Sequence, residues 1–385
     1  MKRIPRKSVL KITALAIFIT LAMSGCGGAE EKLKDMAFVQ CIGIDYVEEM
    51  NEVSLMIYDI SKTSGSSSQL SGNLTRVLHE KSTSLPDAVA NVSAVVGKKP
   101  FFSHNRVVVI GENAAASGIE KIMNAFYKNA EIRPYILIAV ARGEASEILG
   151  ATFGDALNPA QEIQDIIRVG SYYSIVPETE LVDIAVQSND KTSDVYMPIV
   201  ELHKEGEDEF VRANGIAVFR QQKLVGELDE NESKGLLFVN NKIGFGTLSC
   251  ETDDGVMVSS EILSSNTDVS VEAKDEDNIM YEIKVRTVMS LAQTDVSARQ
   301  LAKGETEIIE EAYAKVIEEQ IKGALQKCLT EYKSDVFRFG KMLWKKNPDV
   351  YRKVNENWRD RLSDIDFKLD IKVSINGAGE EIIDY

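Results

Sequence analysis

Between Met36 and Leu149, short apolar runs alternate with stretches of helical spacing, and that order restricts the fold more than any other feature of the chain. Met36 to Asp45 reads as a strand, mostly apolar with Gly43 inside it. Glu52 to Ile60 alternates, with Val53, Leu55 and Ile57 on one side, as a strand half-buried in a sheet does. The polar stretch Tyr46 to Asn51 between them suits a hairpin. Ser61 to Asn73 is rich in serine and glycine and reads as a loop. A helix is predicted to begin near Ser84. Pro86 falls in its first turn, where proline is tolerated, and Leu85, Ala88, Val89, Val92, Val95 and Val96 recur at helical spacing. Arg106 to Ile110 and Tyr135 to Val140 are buried strands, each followed by a helix, at Ala114 to Tyr127 and at Glu144 to Leu149. Apolar strands separated by helices imply a layered α/β unit.

The pattern changes further along. Residues 158–187 read as mainly helical and Val195 to Leu202 as extended. The charged stretch His203 to Asp208 marks a division between two halves. Beyond it, Ala213 to Arg220 and Lys223 to Leu228 form a hairpin turning at Gln221-Gln222, and a short helix follows at Glu232 to Val239. Lys242 to Cys250, Val256 to Ser264 and Ile279 to Ala292 are further strands. Thr306 to Tyr332 is the longest helix, with Ile309, Ala312, Val316, Ile317, Ile321, Ala324, Leu325 and Cys328 on one face. Phe367 to Ile375 is a closing strand. The expected fold class is α+β and multi-domain, with mixed β-sheets each flanked by helices. Residues 36–205 form an N-terminal α/β part and 206–385 a C-terminal α+β part.

Residues 1–25 stand outside this body. Lys2, Arg3, Arg6, Lys7 and Lys11 precede an apolar run from Ile12 to Met23, and Ser24-Gly25-Cys26 follows. A basic start, a short apolar core and small residues at the cut site mark an export signal. The apolar run has about 12 residues, whereas a spanning helix needs roughly 20. Cys26 stands where the new N-terminus would lie, so its thiol is the expected lipidation site, and 26–35 the lipidated tether. Met23 occupies the position where leucine is most usual, with an apolar side chain of similar size. A diacylglycerol on Cys26 supplies two acyl chains, which hold a protein where one does not. The charge supports an anchor of this kind. The chain carries a formal charge of -16, more negative still without its five basic leader residues. Such a body repels nucleic acid and anionic lipid alike.

Catalytic patterns are absent from the sequence. His79, His104 and His203 share no metal-ligand spacing, and there is no G-x-S-x-G elbow or P-loop. Gly111 to Gly118 lacks the dinucleotide order, and its Glu112 would repel a phosphate. The acidic clusters Glu205 to Glu209 and Asp275 to Asp277 lack the ligand spacing of a calcium loop and read as solvated turns. With Cys26 acylated, Cys41, Cys250 and Cys328 remain, no two of them in a C-x-x-C unit, and are expected as buried free thiols. Near the C-terminus, Asp335 is placed to brace the turn after the long helix. Phe337 and Phe339 would pin that turn, Gly340 would relax its backbone, and Trp344 and Trp358 would be packing anchors.

Taken in order, these segments resemble the GerC-type lipoprotein subunits of spore germinant receptors. The resemblance runs from Ser24-Gly25-Cys26 through Glu31, Leu33, Asp35, Ala37, Val39 and Gly43-Ile44-Asp45 to Phe102-Ser103-His104-Asn105-Arg106. It continues at Gly118-Ile119, Arg133, Ala145 to Leu149, Asn214 to Phe219 and Lys223 to Gly226. It is most specific over Ser334 to Gly340, then Asn347-Pro348, Trp358 and Ile375-Asn376-Gly377. Two positions depart from the family: Gly27 replaces a common tryptophan, and Lys128-Asn129 a frequent Arg-Asp pair. The resemblance implies a non-enzymatic, cofactor-free subunit in three α/β domains. It would be lipid-anchored to the outer face of the inner spore membrane. Its partners would be two integral membrane subunits, an A-type and a transporter-like B-type, and its role assembly or coupling in nutrient-triggered germination. The alternative is a solute-binding lipoprotein of an uptake system, which requires two α/β lobes around a ligand cleft.

Overall fold

The computed structural model describes residues 35–58, 74–151, 158–206, 208–253, 255, 257–294 and 303–376. The leader, the tether with Cys26 and the Ser61 to Asn73 loop lie outside the described residues. Strand β1 (Met36–Val47) pairs antiparallel with β2 (Met50–Tyr58), Val47 opposite Met50. The turn is therefore Glu48-Glu49, both at positive φ (53° and 64°), the geometry that matches strand twist in two-residue hairpins. Strand β3 (Thr75–Ser82) extends β2. It escaped the sequence reading because Arg76, His79, Glu80 and Lys81 interrupt its apolar pattern, and charges are common on an edge strand.

Helix α1 (Leu85–Val96) starts at Ser84, whose Oγ accepts from the Asp87 N–H at 3.2 Å. The short strand β4 (Lys99–Phe101) lies parallel to the start of β1. From β1 the sheet continues in parallel through β5 (Val107–Gly111), β6 (Leu137–Ala141) and β7 (Tyr196–Glu205). Strands β8 (Asp208–Arg220) and β9 (Lys223–Leu228) close it antiparallel. The order is β3-β2-β1-β5-β6-β7-β8-β9, with β4 beside β1. The polar stretch at 203–208 thus falls at the paired ends of β7 and β8, Glu205 facing Asp208, and the first sheet runs past it to Leu228.

Successive residues of a strand face opposite sides, and both sides of this sheet are covered. Val108, Ile110, Ile138 and Val140 pack beneath α1, α2 (Glu112–Ser117), α3 (Glu120–Lys128) and α6 (Leu181–Ser188). Val107, Val109, Leu137 and Ala139 pack beneath α4 (Ala145–Gly150) and α5 (Pro159–Tyr172). Asp45, buried at the end of β1, accepts from the N–H groups of Ala145 and Ser146 at 2.7 and 2.9 Å and so ties α4 to the sheet.

The second sheet has the order β10-β11-β12-β13, formed by β10 (Gly246–Glu251), β11 (Met257–Ala273), β12 (Ile279–Thr294) and β13 (Asp366–Asn376). Strand β13 runs parallel to β12, so it needs a crossover. Helix α8 (Lys303–Leu325) lies in that crossover, burying Ile309, Tyr313, Ile317 and Ile321, and α7 (Glu230–Val239) packs with it. The helix continues as a π-turn over Gln326–Glu331. Helices α9 (Phe339–Lys346) and α10 (Pro348–Val354) and a 3-10 segment, Asn355–Asp364, fill the space before β13. The architecture is α+β, with two mixed sheets flanked by helices.

One expected helix is two. The stretch Ala114 to Tyr127 breaks at Gly118, with φ 119° and ψ 133°, a conformation that L side chains resist. The break turns the Ile119 N–H to the Gln222 carbonyl at 2.9 Å, on the β8–β9 turn, and Ile119 becomes fully buried. Gly118→Ala is expected to destabilise the protein by about 1–3 kcal/mol. Thermal unfolding followed by circular dichroism would register this as a lower Tm. An unchanged Tm would contradict the strain argument.

Candidate functional site

The two sheets meet at the segment that follows the π-turn. There the Ser334 hydroxyl donates to the Phe219 carbonyl of β8 at 2.6 Å. The Asp335 N–H donates to Asp194 Oδ2 at 3.0 Å, and the Asp194 N–H donates back to the Asp335 carbonyl at 3.1 Å. Asp194 stands just before β7, so these bonds join the first sheet to the C-terminal helices. The Asp335 side chain turns inward. Its Oδ1 accepts from the Phe339 N–H at 2.9 Å, closing the first turn of α9. Its Oδ2 accepts from the Gly340 N–H at 2.8 Å and from Trp358 Nε1 at 2.9 Å.

Asp194 is held as firmly. Arg359 grips it in a fork, Nε to Oδ2 at 3.1 Å and Nη2 to Oδ1 at 2.8 Å. The Gln221 N–H, from the β8–β9 turn, donates to Oδ1 at 2.8 Å. The Asp194 side chain is 1% exposed and Arg359 20%, so this fork is shielded from water. Such planar, charge-assisted pairs are among the stronger hydrogen bonds in proteins. The guanidinium thus serves Asp194 alone, and the Asp335 carboxylate beside it is held by N–H donors. Burial pushes the Asp335 carboxyl up to about 6, its three N–H donors pull it down, and Asp194 pushes it up again. At neutral pH it is ionised, the state that all three donors require.

Aromatic packing encloses the pair. The rings of Phe337 and Phe339 lie 5.2 Å apart, and those of Phe339 and Tyr281 4.4 Å apart. The Tyr281 hydroxyl donates to the Phe339 carbonyl at 2.6 Å. Asp335 therefore braces its turn and Trp358 is a buried anchor at 1% exposure, as their positions in the sequence suggested. Two expectations are corrected. Gly340 lies in α9 with no positive φ, and its requirement is space: a Cβ there would meet the Thr192 Cβ at 2.7 Å and Trp358 Nε1 at 2.8 Å. The left-handed residue is its neighbour Arg338, at φ 63°. Trp344 is 52% exposed and anchors nothing in the core.

The structure keeps the other chemistry-bearing residues apart. His104 packs beside Phe38 and Phe101, with ring centroids 5.7 and 5.8 Å away. His203 packs on Phe210, and His79 is exposed on β3. Among the described residues, no group of three or more His, Cys, Asp or Glu could hold a metal ion. Asp275 to Asp277 form a turn held by cations, Glu276 with Lys353 and Asp277 with Arg361. Cys41, Cys250 and Cys328 are free and buried, and burial pushes the Cys41 thiol up to about 12. Cys26 lies outside the described residues. The sequence reading missed Asp194 and Arg359, which are 165 positions apart. The one local signal for Asp194 was a charge directly before the apolar run that becomes β7.

Two family models match in tandem. One, described as the spore germination protein N-terminal domain, matches residues 29–202, and the other, described as spore germination B3/GerAC-like, C-terminal, matches 214–379. This chain belongs to the GerC-type family of spore germination proteins. Asp194 lies in the first matched region and Asp335, Trp358 and Arg359 in the second, so the buried pair joins the family's two domains. Spore germination protein B3 of Bacillus subtilis is 24% identical, over 95% of this chain and 97% of its own length. Spore germination protein KC of the same organism is 23% identical, over 92% of this chain and 91% of its own. The crystal structure of the GerBC protein has the same fold, with a TM-score of 0.59 at 22% identity, covering 87% of this chain and 96% of that one.

A pH dependence follows for this GerC-type junction. A carboxyl raised to about 6 holds its proton in the folded protein at pH values where the unfolded chain has lost it. Its contribution to stability is full below about pH 4 and is lost as pH rises through about 6. Asp335→Asn abolishes that titration and turns an amide nitrogen toward an N–H donor, at a cost of about 1–3 kcal/mol. In urea unfolding, the stability gap between wild type and Asp335→Asn should be wider at pH 4 than at pH 7. A gap of constant size would contradict the assignment.

Proposed function

We propose that this chain is the lipid-anchored C subunit of a spore germinant receptor. It has no catalytic activity of its own and serves assembly or coupling with two integral membrane subunits, one A-type and one transporter-like B-type. The observation that carries this reading is the pair of GerC-type domains joined through Asp194, Asp335 and Arg359 behind a leader that ends in Ser24-Gly25-Cys26. A chain of net charge -16, more negative still once its basic leader is removed, has no electrostatic attraction to anionic lipid, so the acyl chains on Cys26 must supply the membrane affinity. The place of action is the outer face of the inner spore membrane. A solute-binding lipoprotein of an uptake system finds less support. Both matched regions are described as those of spore germination proteins, and the second sheet is antiparallel from β10 to β12, whereas a binding lobe needs an α/β sheet.

Two measurements test the proposal. Cys26→Ala should yield a chain without acyl groups by mass spectrometry, released from spore membranes, with slower nutrient germination. Retention of that variant in the membrane fraction would contradict the anchor. A tagged chain captured from detergent-solubilised spore membranes should bring down both integral subunits. Recovery of an ATP-driven transporter in their place would favour uptake.

A further inference from the structure

A cleft of about 350 Å³ opens beside the junction. Its walls come from α6, the end of α7, strand β11 and the segment Val336 to Arg338 that follows Asp335. Both family domains therefore line it. The size falls at the small end of the range for ligand pockets.

Two polar atoms in this wall are unsatisfied. Gln187 is only 5% exposed, yet its Oε1 has no hydrogen-bond partner, and Thr267 Oγ1 has none either. Buried polar groups are nearly always paired, and one left without a partner is costly. Arg338 and Lys242 line the same cleft, and among the described residues neither forms an ion pair. Arg338 is also one of the few non-glycine residues held at positive φ, a strain that collects at ligand sites. Opposite charge is present as well. Asp183 spends one oxygen on the Glu180 N–H at 3.1 Å, and Glu178 pairs with Arg168 at 3.3 Å, which leaves acceptor capacity on both. The two signs converge on one point: Arg338 and Asp183 act in opposite directions on the buried Tyr196 phenol.

An anion alone would leave the Gln187 acceptor unpaired, and a cation alone would make no use of Arg338 and Lys242. We propose that this cleft binds a small zwitterion. Its carboxylate meets Arg338 and Lys242, its ammonium or hydroxyl donates to Gln187 Oε1, and Asp183 and Glu178 balance its positive charge. This site is additional to the receptor-subunit reading and does not depend on it. Because the ligand touches both domains next to Asp335, its occupancy stiffens the joint between them.

The test uses the full-length chain in detergent and saturation-transfer NMR with L-serine, acetate and ethanolamine, each at about 10 mM. L-serine carries both charges and a hydroxyl, while the other two each lack one charge. L-serine should bind at least about tenfold more tightly than acetate or ethanolamine, the loss expected for one charge-assisted contact. Arg338→Gln and Gln187→Leu should each weaken L-serine binding by about tenfold. Lys242→Gln changes an exposed side chain, keeps the fold, and should weaken it by a smaller factor in the same direction. Absence of an L-serine signal, equal binding of acetate, or unchanged binding in Lys242→Gln together with either folded variant would overturn the proposal. Capture of the membrane subunits is a separate readout, so failure of this site leaves the receptor assignment standing.

Discussion

The arrangement of this molecule depends on a carboxylate with no access to water. Asp335 is fully buried, and an isolated charge in such a place would cost far more than a domain's whole stability. Three N–H donors and the nearby Arg359–Asp194 fork make it tolerable. Replacement of a buried polar network by apolar packing is often neutral or stabilising, so stability alone does not explain its presence. Directionality does. Apolar surfaces can slide over one another, whereas the hydrogen bonds at Asp335 and Asp194 have one satisfactory arrangement. They fix where the turn after α8 meets β7, β8 and the β8–β9 turn. Gly340 belongs to the same constraint, since any side chain there would push α9 away from Thr192 and Trp358.

That constraint acts together with a shared core. Tyr196, Ile216, Val218 and Leu228 belong to the first sheet, yet they pack in one cluster with α7, α8 and the second sheet. Of these only Tyr196 lies in the first matched region, but Ala217 and Phe219 of the second pack in turn with Ile184 and Met197 of the first, so the two family domains do not meet as independent bodies across a wet interface. The polar pins sit at one edge of an apolar contact that already holds the halves together. Proteins with a hinge at such a boundary lack a continuous cluster across it.

The sequence made most of the elements legible and almost none of the junction. Strands β1, β2, β5 and β6 show as apolar runs because they are buried on at least one face, and α1 shows through Ser84 and Pro86. The second hairpin is also visible, although Gln221 and Gln222 both take positive φ (50° and 62°) with neither glycine nor asparagine present. Strand β3 was lost to its edge charges. Helices α9 and α10 were lost because each is too short to establish a period. At the junction, Asp335 could be read as a brace, since its partners Phe339 and Gly340 are local. Asp194 and Arg359 could not, because nothing near either residue in the sequence requires a partner. The role of Gly340 was misjudged for the same reason: its close neighbours, Thr192 and Trp358, come from distant parts of the chain.

The proposed anchor adds one geometric consequence. Between Cys26 and Met36 there are nine residues, and a chain extends by at most about 3.6 Å per residue. The start of β1 must then lie within about 35 Å of the bilayer surface. At that end of the sheet, Met36 pairs with Lys99 of β4, and Phe38, Phe101 and His104 pack together beside it. Strands β5, β6 and β7 run parallel to β1, so their C-terminal ends, with Asp45, Glu112 and Glu144 near them, point the other way. Lys98 and Lys99 stand at the near end of an otherwise acidic body. A lipid tail that brings this end to the membrane therefore presents the β1–β4 end of the sheet first and leaves the C-terminal ends of the parallel strands directed away from the lipid.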